Sequence, residues 1–129
     1  MLQGAKLLIV DDEKPTREGL RAALEDRYEV YVAEDAAAAT ELLEREHFTA
    51  LLTDFRLPNE DGMKLIARAK SLSRPPVCIL MTAYGSEELA VEAMKQGAFY
   101  YIAKPFKLDE VRKVVGEAVH KVVLKKENR

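Results

Sequence analysis

The chain of 129 residues is poor in several things that would each point to a different kind of protein. It has one cysteine, Cys78, inside the apolar run Val77 to Met81. An internal disulfide is therefore excluded, and a buried core thiol in a reducing compartment is the expected reading. The formal net charge is only -2, so no whole-domain field suits direct contact with nucleic acid. No apolar stretch approaches the roughly 20 residues that span a bilayer, and the N-terminus carries no basic flank ahead of an apolar region. A cytoplasmic location is expected. There is no G-x-x-x-x-G-K-[ST] loop, which excludes an ATPase within these residues, and no internal repeat or low-complexity segment.

What is present is an ordinary globular composition, 48% hydrophobic and 33% charged, at a length that suits one core. Short runs rich in Val, Ile and Leu fall at Lys6 to Val10, Glu29 to Ala33, Ala50 to Thr53, Val77 to Met81 and Phe99 to Ala103. Each has the length of a strand rather than of a helix. Between them, apolar residues recur three and four apart: Leu20, Ala23 and Leu24; Leu42 and Leu43; Leu65, Ile66, Ala69 and Leu72. That spacing predicts amphipathic helices. A last helix is predicted from about Leu108 to Leu124, with Gly116 on its polar side near Arg112, Lys113 and His120.

Punctuation supports these bounds. Asp35 and Ser86 can cap the helices that follow them, Asp61 and Gly62 read as loop, and Pro75 and Pro76 end the third helix. Strict alternation of strand and helix implies a parallel sheet covered on both faces. Right-handed crossovers then give an α/β fold, a doubly wound five-stranded parallel sheet with five helices, flavodoxin-like, in the order 2-1-3-4-5. Residues 1–124 are read as one domain and residues 125–129 as a C-terminal tail or the start of an interdomain linker.

In such sheets ligands bind at the carboxyl ends of the strands. Asp11, Asp12 and Glu13 follow the first strand, Asp54 the third, Thr82 the fourth and Lys104 the fifth. Carboxylates gathered there repel one another and need a cation. Mg²⁺ suits an all-oxygen site that leaves room for a phosphate oxygen. Asp54 is then the natural nucleophile toward phosphorus, with Lys104 and the Thr82 hydroxyl placed to neutralise equatorial oxygens. Taken singly, each residue is more simply a cap, a turn residue or a solvated charge; their joint placement after strands one, three, four and five argues for a site. The Lys104-Pro105 bond is a place where cis geometry occurs, although local sequence favours trans.

Beyond these residues, the stretches LLIVDDE, LLTDFRLPNEDG, ILMTAYGS and GAFYYIAKPF, in that order, closely resemble the response-regulator receiver family over about Lys6 to Val123. The resemblance implies Asp54 as phosphoacceptor. It implies Asp12, Asp54 and the Arg56 backbone carbonyl as direct Mg²⁺ ligands, with Asp11 acting through water. It further implies that Thr82 and Lys104 contact the phosphoryl group, and that Thr82 and Tyr101 act as a switch. The implied donor is a phosphohistidine on a sensor histidine kinase. Neither His47 nor His120, both read as lying in helical polar contexts, serves as an internal donor. TAYGSEELAVEAMKQGAF with DFRLP most resembles receivers of NtrC-type transcriptional regulators, which implies a downstream output domain and self-association through the fourth helix, fifth strand and fifth helix. Two rivals remain. A haloacid dehalogenase-type Mg²⁺ phosphohydrolase would need D-x-D after the first strand, where this chain has Asp11 and Glu13. A phosphorylation-independent interaction module would have no use for a complete reactive set. A flavin carrier lacks its phosphate loop.

Overall fold

The central apolar runs, Leu7 to Val10, Ala50 to Thr53 and Cys78 to Met81, are buried on both faces, as a sheet covered by helices on each side requires. In the computed structural model, which describes residues 4–83 and 87–127, the order is β1 (Lys6–Val10), α1 (Lys14–Leu24), β2 (Glu29–Ala33), α2 (Ala36–Arg45), β3 (Ala50–Asp54), β4 (Arg56–Leu57), β5 (Glu60–Asp61), α3 (Gly62–Lys70), β6 (Val77–Ala83), α4 (Glu87–Lys95), β7 (Tyr100–Lys104) and α5 (Leu108–Glu127). Five parallel strands form one sheet in the order β2-β1-β3-β6-β7. Counted by strands of that sheet, the order is the expected 2-1-3-4-5. The small strands β4 and β5 make a separate antiparallel hairpin.

Side chains alternate between the two faces of a strand, and the core divides accordingly. Leu7, Ile9, Leu52, Ile79, Met81 and Ile102 pack with α1 and α5. Leu8, Val10, Leu51, Cys78 and Leu80 pack with residues of α2, α3 and α4 on the other side. Cys78 is fully buried as expected, and burial pushes its thiol up to about 12. Asp35 caps α2, its side chain accepting from the Ala38 N–H at 2.8 Å.

Several boundaries differ from the sequence reading. Asp61 is not loop but the cap of α3, accepting from the Lys64 N–H at 2.9 Å, and Gly62 is that helix's first residue. α3 ends at Lys70, so Leu72 lies beyond it and the break precedes Pro75 by several residues. α2 ends at Arg45, which leaves His47 in the following connection rather than in a helix. β6 continues through Thr82 to Ala83, because β7 keeps pairing with it to that point; Thr82 belongs to the strand, not to the loop after it. α5 runs on to Glu127, past the predicted end near Leu124. The Lys104-Pro105 bond is cis, so the tertiary setting overrides the local preference for trans. Ser86, proposed as the α4 cap, lies outside the described residues. Among the described residues no helix is long and apolar enough to cross a membrane.

Candidate functional site

Strand register brings the expected residues to one edge. Asp11 follows β1 and is fully buried, and Asp54 ends β3 with 7% of its surface exposed. Asp54 pairs in register with Met81, so the next residue of β6, buried Thr82, stands one step beyond it. Thr82 in turn pairs with Ala103, and Lys104 follows at the end of β7. The ligand atoms of Asp11, Asp12 and Asp54 all lie within 4.8 Å of one another.

Asp11 is the most tightly held of the three. Its Oδ1 accepts from the Glu13 N–H at 2.9 Å and its Oδ2 from Lys104 Nζ at 2.6 Å, while the Arg17 guanidinium donates to its backbone carbonyl at 2.8 Å. Lys104 also stands 3.5 Å from Asp54 Oδ2. One ammonium thus faces two buried carboxylates and lies near a third, exposed one.

The titration of the pair follows from this arrangement. Burial pushes the Asp54 carboxyl up; Lys104 opposes the rise, and the charges of Asp11 and Asp12 add to it. Burial works against the Lys104 charge, but Asp11 and Asp54 outweigh it and hold the ammonium above its ordinary range. A carboxylate destabilised in this way, beside two others, makes a pocket with an electrostatic demand for a second cation. Its donors are all oxygen and close together, which fits a hard divalent ion such as Mg²⁺.

Arg56, the expected source of a backbone carbonyl ligand, begins β4 two residues after Asp54 and has an exposed side chain. Tyr101 is half-buried on β7 and packs against the core on the α2–α3–α4 side, so it faces α4 rather than α5. His120 is exposed on α5, remote in sequence from the cluster.

Sequence reasoning missed two residues that shape this edge. Gly62 donates its N–H to the Phe55 carbonyl at 2.7 Å, and a Cβ there would lie 2.2 Å from the Asp54 carbonyl oxygen. Only glycine permits α3 to start this close to the end of β3. Its sequence signal was the Asp61-Gly62 pair, read as loop. Arg17, on the first turns of α1, had no signal, because its partner is a backbone carbonyl.

A doubly wound sheet whose carboxyl edge gathers three aspartates, a buried threonine and a lysine places this chain in the flavodoxin-like class, with an acidic site at the ends of its strands. The family model for the response regulator receiver domain matches residues 7–116, and the chain belongs to that family, the receiver domains of two-component response regulators. It is 39% identical to regulatory protein AtoC of Escherichia coli over 96% of its own length, but covers 27% of that protein. It is 31% identical to sporulation initiation phosphotransferase F of Bacillus subtilis over 88% of this chain and 93% of that one. Among solved structures, the receiver domain protein (CheY-like) from Methanospirillum hungatei superposes with a TM-score of 0.86 at 30% identity, covering 92% of this chain and 96% of that chain. The resemblance to receivers of NtrC-type regulators holds, and the chain spans about a quarter of the length of the first such relatives. The hydrolase and interaction-module alternatives gain no support.

Proposed function

We propose that Asp54 is the phosphoacceptor and that this chain passes on its phosphorylation as a change of surface. The observation that carries the reading is the convergence of Asp11, Asp12, Asp54 and Lys104 at one sheet edge, with Asp54 kept short of full neutralisation. In the reaction, an Asp54 oxygen forms a bond to phosphorus while the phosphorus–nitrogen bond of a kinase phosphohistidine breaks, and the electron pair leaves with the imidazole. Lys104 moves from its carboxylate partners toward a phosphoryl oxygen, and the Thr82 hydroxyl donates to another. Mg²⁺, when bound by Asp12, Asp54 and the Arg56 carbonyl with Asp11 acting through water, supplies charge neutralisation. Asp54 then holds the acyl phosphate until water hydrolyses it in the same pocket.

The partner is a sensor histidine kinase. Residues 1–124 act as the receiver and residues 125–129 lead toward an output domain of a cytoplasmic transcriptional regulator, without direct DNA contact by this domain. Thr82 and Tyr101 couple the site to the α4–β7–α5 surface: Thr82 is drawn to the phosphoryl group and the half-buried ring of Tyr101 moves inward. Val91, Met94, Tyr100 and Leu108 are exposed there, between 42% and 55%, and support self-association through that face. Shifting the population needs roughly 3 to 6 kcal/mol, within reach of charge-assisted phosphate contacts.

Incubation with acetyl phosphate and Mg²⁺, followed by intact mass, tests the chemistry: one labile phosphoryl group is expected on the wild type and none on Asp54→Ala. Equal incorporation in both would end the assignment. Sedimentation and amide spectra with beryllofluoride test the switch, and an unchanged 82–106 region with an unchanged mass distribution would reject it.

A further inference from the structure

The sheet edge opposite the phosphoacceptor site carries a cavity of about 390 Å³ beneath the start of β6, with cationic side chains around a partly apolar floor. By strand rise it lies roughly 17 Å from Thr82 along β6. That volume is in the range of small-ligand sites. Its ionisable lining is of one kind: Lys70 from the end of α3, Arg74 from the following turn, Lys121 from α5, with His47 and the buried Cys78 alongside and no carboxylate among the lining residues.

The cations are placed by packing rather than by acids. Lys70 lays its stem over Gly97, whose φ of +100° leaves no side chain in the way; a Cβ there would stand 3.0 Å from Lys70 Cε. Lys121 holds its ammonium 5.2 Å from the centre of the Phe99 ring, another lining residue. Among the described residues, none of Lys70, Arg74 and Lys121 forms an ion pair. The nearby carboxylate of Glu46 is engaged by Lys6 at 2.6 Å. The Lys70 charge is also felt at Cys78, where it opposes the rise that burial produces.

Three cations converge on one concave surface without a counter-charge. One of them is a guanidinium, whose fork matches two oxygens of a phosphate. A single phosphate would leave positive charge uncompensated, whereas two linked phosphates match the three cations and fit the volume.

We infer that this cavity binds a small diphosphate-bearing anion through Lys70, Arg74 and Lys121. The site is independent of the phosphoacceptor reading, since it shares no residue with it. The test is an amide-detected NMR titration of the chain with sodium pyrophosphate, without Mg²⁺ and at ionic strength held constant with sodium chloride. Saturable shifts are expected at the amides of Ser73, Arg74, Val77, Cys78 and residues 97–99, with pyrophosphate at least tenfold tighter than orthophosphate. The doubly substituted Lys70→Gln, Arg74→Gln protein should bind at least tenfold more weakly while keeping the wild-type melting curve, because both side chains are exposed. Shifts that fail to saturate, that survive both substitutions, or that centre on Lys104 and Asp54 would overturn the site. Equal affinity for the two anions would overturn the diphosphate assignment.

Discussion

Replacing Gly62 by alanine probes how closely α3 must approach the phosphoacceptor. The added Cβ would sit 2.2 Å from the Asp54 carbonyl oxygen and 3.1 Å from both the Asp54 carbonyl carbon and Phe55 Cα. A carbon–oxygen contact is comfortable at about 3.3 Å or more, so the overlap is about 1 Å. Every opposing atom is backbone, so no rotamer change relieves it. The start of α3 must move outward by a comparable distance, which breaks or badly stretches the 2.7 Å bond from the Gly62 N–H to the Phe55 carbonyl. Overpacking costs about 1–3 kcal/mol and a lost buried backbone bond about 1–3 kcal/mol. The helix preference for alanine returns less than about 1 kcal/mol. The net expectation is a loss of about 1–6 kcal/mol, or roughly 4–24 °C in melting temperature at about 4 °C per kcal/mol for a domain of this size. Because Asp54 is displaced too, phosphorylation by acetyl phosphate should slow by an order of magnitude or more. Urea denaturation and the rate of mass gain are the assays. A Gly62→Ala protein with wild-type midpoint and wild-type rate would refute the close-approach argument.

The opposite sign is expected at two other helical glycines: a Cβ at Gly19 meets nothing within 4 Å, and one at Gly116 meets only the Tyr28 hydroxyl at 4.0 Å. Gly19→Ala and Gly116→Ala should each raise stability by about 0.5–1 kcal/mol, and a lower urea midpoint in either would show crowding. Lys104→Met leaves the fully buried Asp11 carboxylate without its 2.6 Å partner. A loss of about 3 kcal/mol is expected in EDTA, with Mg²⁺ restoring more stability to this variant than to the wild type; equal Mg²⁺ effects on both would contradict it. Asp54 carries a pKa above its unfolded value, so its contribution favours folding fully only below that value, near 3.8, and is lost as pH rises through the folded pKa. Asp54→Asn should therefore stabilise the metal-free protein at pH 7 and cease to do so below the unfolded pKa; denaturation midpoints at the two pH values check this, and a gain that persists in acid would refute it.

The parallel sheet could be read from residues such as Leu7 to Val10 and Ala50 to Thr53 because burial on both faces leaves an unbroken apolar run. The site was readable for a related reason: in a doubly wound sheet the residue after each strand has only one place to go. Asp11, Asp54 and Lys104 needed no more than strand bounds to be brought together. Thr82 was harder to place, because the end of β6 is set by pairing with β7 rather than by its own sequence. The β4–β5 hairpin escaped notice since two-residue strands carry no periodicity. The roles of Gly62 and Arg17 escaped for a different reason: both act on backbone atoms of another element, so Asp61-Gly62 reads equally well as loop and nothing beside Arg17 marks its contact. His47 was misplaced because the apolar spacing of Leu42 and Leu43 says nothing about where the helix stops. The cis state of Lys104-Pro105 likewise depends on tertiary surroundings.

Chemistry is expected at Asp54 and not at Asp11, the other buried carboxylate of the same pocket. Reductive trapping of the acyl phosphate with borohydride after treatment with acetyl phosphate and Mg²⁺, followed by peptide mass mapping, distinguishes the two. Conversion of Asp54 to homoserine, with Asp11 and Asp12 unchanged, is the expected result; conversion at Asp11 with Asp54 intact would contradict the account.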